Sequence, residues 1–105
     1  MNIALCHLEV SCGPQESNLA KIERAVKIAG QRGARIVVTP ETAVQGYYFH
    51  RLDEARKLEV QPAPYLDSMR KIVAEQNVYL LLGCGEYVPE TGKHHNSCLV
   101  FAPNG

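Results

Sequence analysis

Ile36, Val37, Val38 and Thr39 form a short, mostly β-branched run that stops at Pro40, and a carboxylate, Glu41, follows at once. No other stretch limits the fold as much. Such a run reads as a buried strand of a sheet covered on both faces. Proline has no N–H for a ladder, so the strand ends there. Glu41 is thereby held at the carboxyl end of a strand, the edge at which open α/β sheets bind ligands. Gly46 and three aromatic rings, Tyr47, Tyr48 and Phe49, come next. Beside them the carboxylate is expected in a partly apolar pocket, and burial of that kind raises a carboxyl pKa toward the working range of a general base. The plainer alternative is a solvated loop charge, with the rings as ordinary packing.

The segments on either side supply a sheet and its crossovers. Residues 2–8 read as a first strand, with Ile3 and Leu5 as its larger apolar members. Ser11, Gly13 and Pro14 mark a connection. Ser17 and Asn18 are candidate helix N-caps. Leu19, Ile22, Val26 and Ala29 then recur at helical spacing, and Gly33 suits a left-handed C-cap. Strand, helix of roughly fourteen residues, strand is a right-handed βαβ crossover with parallel strands. Residues 52–58 have a short helical pattern. Residues 65–76 form a clearer helix, with Leu66, Met69, Ile72 and Val73 as its apolar stripe and Asn77 as its stop. Residues 78–82 read as a third buried strand. Gly83 and Gly85 after it suggest the close approach of another backbone segment. They lack the pattern of a phosphate-binding loop. Residues 89–95 read as a hairpin connection and 96–102 as a fourth strand, antiparallel to the third. Pro103, Asn104 and Gly105 make a turn.

Composition narrows the function. A chain of 105 residues suggests one domain at most. Eleven basic residues balance eleven acidic ones, which removes the electrostatic reason to expect nucleic acid or an anionic membrane as partner. No apolar run approaches the roughly 20 residues that span a bilayer. The start, Met1-Asn2-Ile3-Ala4-Leu5, has no basic leader, so a cytoplasmic location is expected. Of the four cysteines, Cys6, Cys84 and Cys98 lie in apolar strand-like runs, where cysteine acts as a small hydrophobe. Cys12 lies in the first connection. No pair has zinc-site spacing. His94, His95 and Cys98 fall at a hairpin tip, where a solvated turn is the simpler reading than metal ligation.

Pro40-Glu41 behind a hydrophobic strand, with Gly46-Tyr47 five residues on, resembles the first signature of the nitrilase superfamily of carbon–nitrogen hydrolases. The flanks agree in order and distance: Asn18-Leu19, Gly33-Ala34, Gly83 with Glu86, and Asn96 in a strand that ends at Pro103-Asn104-Gly105. The resemblance covers essentially the whole chain. It implies the N-terminal half of an αββα sandwich, built from the βαβ unit, a helix and a β-hairpin. It also implies hydrolysis of a small non-peptide amide or nitrile by a Glu–Lys–Cys triad, without cofactor or metal, and a homo-oligomer at full length. Glu41 matches the triad glutamate, the general base toward the cysteine thiol, and Tyr47, Tyr48 and Phe49 would line the substrate pocket. In the family, the lysine follows shortly after the turn at residues 103–105 and the cysteine later still, so the chain reads as a partial domain, 1–105, that lacks both. Lys93 comes too early, and none of the four cysteines matches the nucleophile. Alone, such a chain is expected to be inactive. The alternatives are a non-catalytic α/β interaction module and one chain of a split enzyme.

Overall fold

The computed structural model describes residues 1–11, 15–46 and 59–105. Within them lie β1 (Ile3–Leu5), α1 (Gln15–Gln31), β2 (Ile36–Val38), α2 (Leu66–Gln76), β3 (Tyr79–Val88) and β4 (Lys93–Phe101). The four strands form one sheet in the order β1-β2-β3-β4. β1 and β2 are parallel, as are β2 and β3, and β4 returns antiparallel to β3. The architecture is mixed α/β, with the crossover that the apolar runs predict.

Side-chain alternation splits the sheet into two unlike faces. Val37, Leu80, Leu82 and Cys84 point inward, and each is fully buried. Ile22 and Val26 of α1 and Met69 and Val73 of α2 pack on them, also without exposure. Burying each such side chain is worth roughly 1.5–3 kcal/mol, and this layer holds the crossover together. Among the described residues, no helix packs on the opposite face. Ile3, Leu5, Tyr79 and Val100 lie on it and are 57%, 66%, 42% and 67% exposed.

The helix ends follow the expected chemistry. Gly33 and Asn77 both adopt positive φ, 86° and 52°. Asn77 closes α2 with its N–H directed to Ala74 and Val73 carbonyls.

Several boundaries differ from the sequence reading. β1 and β2 are three residues each, because the chain leaves the ladder at their carboxyl ends. α1 starts at Gln15, ahead of Ser17 and Asn18. β3 runs through Gly83 and Gly85 to Val88. β4 starts at Lys93, so His94 and His95 are strand residues rather than a hairpin tip. The two glycines do not end the strand because their N–H and C=O groups still find partners, as described next. The short helical pattern at residues 52–58 lies outside the described residues.

Candidate active site

The turn that carries Glu41 is built by close contact with β3. An added Cβ on Gly83 would lie 2.3 Å from the Pro40 carbonyl oxygen, 3.0 Å from Thr42 N and 3.1 Å from Glu41 Cα. Only a glycine lets residues 40–42 cross the sheet this closely. By alternation, that crossing is on the helix-free face.

Polar bonds fix the turn on every side. The Thr39 hydroxyl accepts from Gly83 N–H at 3.0 Å, and Thr39 N–H donates to Leu81 O at 3.1 Å. Gln45 is fully buried. Its amide oxygen accepts from Gly85 N–H at 3.0 Å while its Nε2 donates to Gly85 O at 3.4 Å. One side chain thus stands in for a neighbouring strand. Asn18 is 2% exposed. Its Nδ2 donates to Ser11 O at 2.8 Å and to Val44 O at 3.2 Å, and its Oδ1 accepts from Ser11 N–H at 2.9 Å. Asn18 is therefore not a helix cap. It is a buried clamp that joins α1 to the segment after β1 and to the turn after Glu41.

The turn is also strained. Thr42 adopts φ of 45°, a region that β-branched residues avoid because of steric cost. Such a conformation persists only when the surroundings enforce it, and Gly83, Gln45 and Asn18 do so here.

The Glu41 side chain itself is exposed. The partly apolar pocket expected around it is not found among the described residues, none of whose helices packs on this sheet face; the exposed side chain agrees with the plainer alternative of a solvated charge. Its Oε1 accepts a hydrogen bond from the Asn96 side-chain amide of β4. A cleft of about 590 Å³ opens beside the turn, lined by Leu5, Cys6, His7, Leu8, Glu9, Val38, Thr39 and Pro40. It sits at the carboxyl ends of β1 and β2, where ligands enter open α/β sheets. Tyr47, Tyr48 and Phe49 lie outside the described residues.

A second carboxylate occupies the neighbouring position. Gly85 stands two residues from Gly83 on the same face, and a Cβ there would meet Glu59 Oε1 at 2.5 Å. Glu59 is 7% exposed and pairs with His94 of β4. Its backbone carbonyl accepts from Tyr87 N–H at 3.0 Å. Burial pushes the Glu59 carboxyl up, and the His94 imidazole opposes that shift. The pair is missed in sequence, where Glu59 falls in a charged stretch and His94 in an assumed turn.

The described cysteines are poor nucleophiles or simple surface groups. Burial pushes the Cys84 thiol up to about 11 and raises that of Cys6. Cys98 is exposed on β4. Among the described residues, no group of three or more His, Cys, Asp or Glu side chains could hold a metal ion. None of their helices is long and apolar enough to cross a membrane.

Comparison with known proteins gives a consistent result. The sequence model of the carbon-nitrogen hydrolase family matches residues 2–105. The chain is 33% identical to omega-amidase NIT2 of Mus musculus over 108 residues, covering 98% of this chain and 36% of that protein. It is 33% identical to omega-amidase NIT2-B of Xenopus laevis over 94 residues, covering 87% of this chain and 32% of that protein. The chain thus spans about a third of the length of these curated relatives. In fold it matches Saccharomyces cerevisiae Nit3, a member of branch 10 of the nitrilase superfamily. That match has a TM-score of 0.82 and 22% identity, covering 98% of this chain and 40% of that one. The C. elegans NitFhit protein matches with a TM-score of 0.77 at 20% identity, covering 97% of this chain and 25% of that one.

Proposed function

We propose that this chain, which belongs to the carbon-nitrogen hydrolase family, supplies the general base of a site that hydrolyses a small non-peptide amide or nitrile. Glu41 is that base. The observation that carries the reading is its mounting: a carboxylate at the end of β2, on a strained turn that Gly83, Gln45 and Asn18 hold against β3. Rigid placement at a sheet edge is what a proton acceptor needs, since catalysis falls steeply with misplacement.

The remaining catalytic groups, a lysine and a cysteine, come from outside these 105 residues. Cys84 is buried with its thiol held protonated, which suits it to packing rather than attack. In the complete site Glu41 takes the proton of the cysteine thiol, and the thiolate attacks the substrate carbon. The lysine ammonium stabilises the oxyanion of the tetrahedral intermediate. Protonated Glu41 then returns that proton to the leaving nitrogen, so collapse expels ammonia or an amine and leaves an acyl-enzyme, which water hydrolyses to the acid; a nitrile first gives a thioimidate, and addition of one water brings it to the same tetrahedral intermediate. No metal or cofactor takes part. The exposed apolar face of the sheet supports arrival of these groups on a segment, or a second chain, that packs there. The protein is read as cytoplasmic and as a homo-oligomer at full length.

Two measurements test this. The 105-residue chain alone should release no ammonia from simple amides or nitriles. In the catalytically complete protein, Glu41→Gln should lower kcat by about three orders of magnitude or more. A Glu41→Gln enzyme within twofold of the parent removes Glu41 from the mechanism.

A further inference from the structure

Asn96 stands in an unfavourable place. Asparagine is among the residues least suited to strands, yet Asn96 lies inside β4, exposed, directly opposite Gly85. The pairing puts its side chain on the helix-free face. There it reaches Glu41, and its amide N–H donates to Oε1.

Backbone contacts with Gly83 place the Glu41 Cα, but they do not choose among the rotamers of a long, exposed side chain. A glutamate side chain has several rotamers, and most of them point away from any one reacting proton. Asn96 supplies a restraint from a rigid base, because β4 is paired with β3 along its whole length. The donor is also neutral. A lysine or arginine in its place would orient the carboxylate but stabilise its charge strongly, and so weaken it as a base. One amide N–H occupies one of the carboxylate's roughly four lone-pair sites, which is compatible with proton transfer to the same group.

We propose that Asn96 is a positioning residue: it holds the Glu41 carboxylate in the orientation that accepts the nucleophile's proton. It acts through Glu41 and touches no substrate atom. This inference rests on the reading of Glu41 as general base, and its test separates the two.

The first arm uses the 105-residue chain, labelled with ¹⁵N. The two Asn96 side-chain amide protons should be well separated in shift, with one slow to exchange. Glu41→Ala, which removes the acceptor, should collapse that separation. Asn96 signals at free-amide positions and unmoved by Glu41→Ala overturn the proposal, whatever Glu41 does in catalysis. The second arm uses the catalytically complete protein. Asn96→Leu, of similar size, should lower kcat about 10- to 100-fold with KM changed less than about threefold. Asn96→Asp has the same shape but repels the carboxylate, and should lose at least as much. Asn96→Gln restores a donor and should recover most of the rate. A purely structural role predicts instead that the loss follows melting temperature and that Asn96→Gln does not rescue it; that pattern, or an Asn96→Leu kcat within twofold of the parent, overturns the proposal. Turnover that survives Glu41→Gln defeats the general-base reading instead, and the first arm still decides whether Asn96 holds Glu41.

Discussion

The Gly83 α-carbon and the Pro40 carbonyl oxygen are so close that a methyl group on Gly83 would sit 2.3 Å from that oxygen. The neighbour is backbone, flanked by the ladder bond from Thr39 to Leu81, so it cannot swing aside as a side-chain tip could. Gly83→Ala should therefore force residues 40–42 off the sheet. The cost should be about 1–3 kcal/mol or more, read from urea denaturation. The Asn96 side-chain amide signals should change with it, because Glu41 moves with its backbone. An alanine variant as stable as the parent, with those signals intact, would show that the turn has slack.

The Glu59–His94 pair makes a second, pH-dependent prediction. Burial raises the Glu59 carboxyl, and the His94 imidazole offsets that effect. A carboxyl raised in the fold binds its proton more tightly folded than unfolded. Its favourable contribution is present at low pH and is lost as pH rises through the folded value. In the parent, the His94 imidazole beside the carboxylate offsets part of the penalty of its burial. In His94→Leu that compensation is gone, so stability should fall as pH rises from roughly 4.5 to 7.5, by about 1–3 kcal/mol relative to the parent. Adding Glu59→Gln to His94→Leu should flatten the pH dependence. Denaturant midpoints at the two pH values check this; an equal loss at both would mean that His94 acts by packing on Tyr87, whose ring it meets edge-on at 5.4 Å.

The crossover and the place of Glu41 are legible in sequence because both follow from local rules. The β-branched run through Val37 and Val38 ends at Pro40, where proline cannot continue a ladder. Gly83 as a point of close backbone approach is legible for the same reason, since a glycine in a strand usually marks contact rather than flexibility. What escapes is long-range polar pairing. Asn18 looks like a cap because asparagine near a helix start usually is one. Its true partners, Ser11 and Val44, are 7 and 26 residues away. His94 looks like a turn residue because histidine, lysine and glycine cluster there. The hairpin instead turns earlier, with Gly92 N–H bonded to Val88 O at 2.9 Å, and His94 is drawn into β4 opposite Tyr87. The sequence leaves the exposure of Glu41 open between a partly apolar pocket and a solvated charge, because its surroundings depend on which face of the sheet the turn crosses.

The cysteines should report the same geometry by reactivity. Cys84 is buried and its thiol is pushed up to about 11, so at neutral pH almost none is thiolate. Cys6 is raised by burial too. Under iodoacetamide at neutral pH, peptide mapping should find Cys98 modified first among these three, then Cys6, with Cys84 protected until the chain unfolds. Early modification of Cys84 would contradict the packing of β3 against the helices.

The helix-free face gives the last prediction. Strand register aligns Leu5 with Val38, Val38 with Leu81, and Leu81 with Val100. The ends of that row, Leu5 and Val100, are 66% and 67% exposed. A continuous apolar row of this kind drives association and binds hydrophobic dyes. The 105-residue chain should therefore enhance dye fluorescence and elute from gel filtration larger than a monomer. Leu5→Lys with Val100→Lys should reduce both effects without lowering the melting temperature, because neither side chain contributes to the buried layer. In the catalytically complete protein the same pair should have the opposite consequence. If a further segment covers this face, two lysines there bury charge without a partner, which costs several kcal/mol, and soluble folded protein should be lost. A complete protein that tolerates both lysines would mean that the row stays in water, and that the proposed lysine and cysteine approach Glu41 from elsewhere.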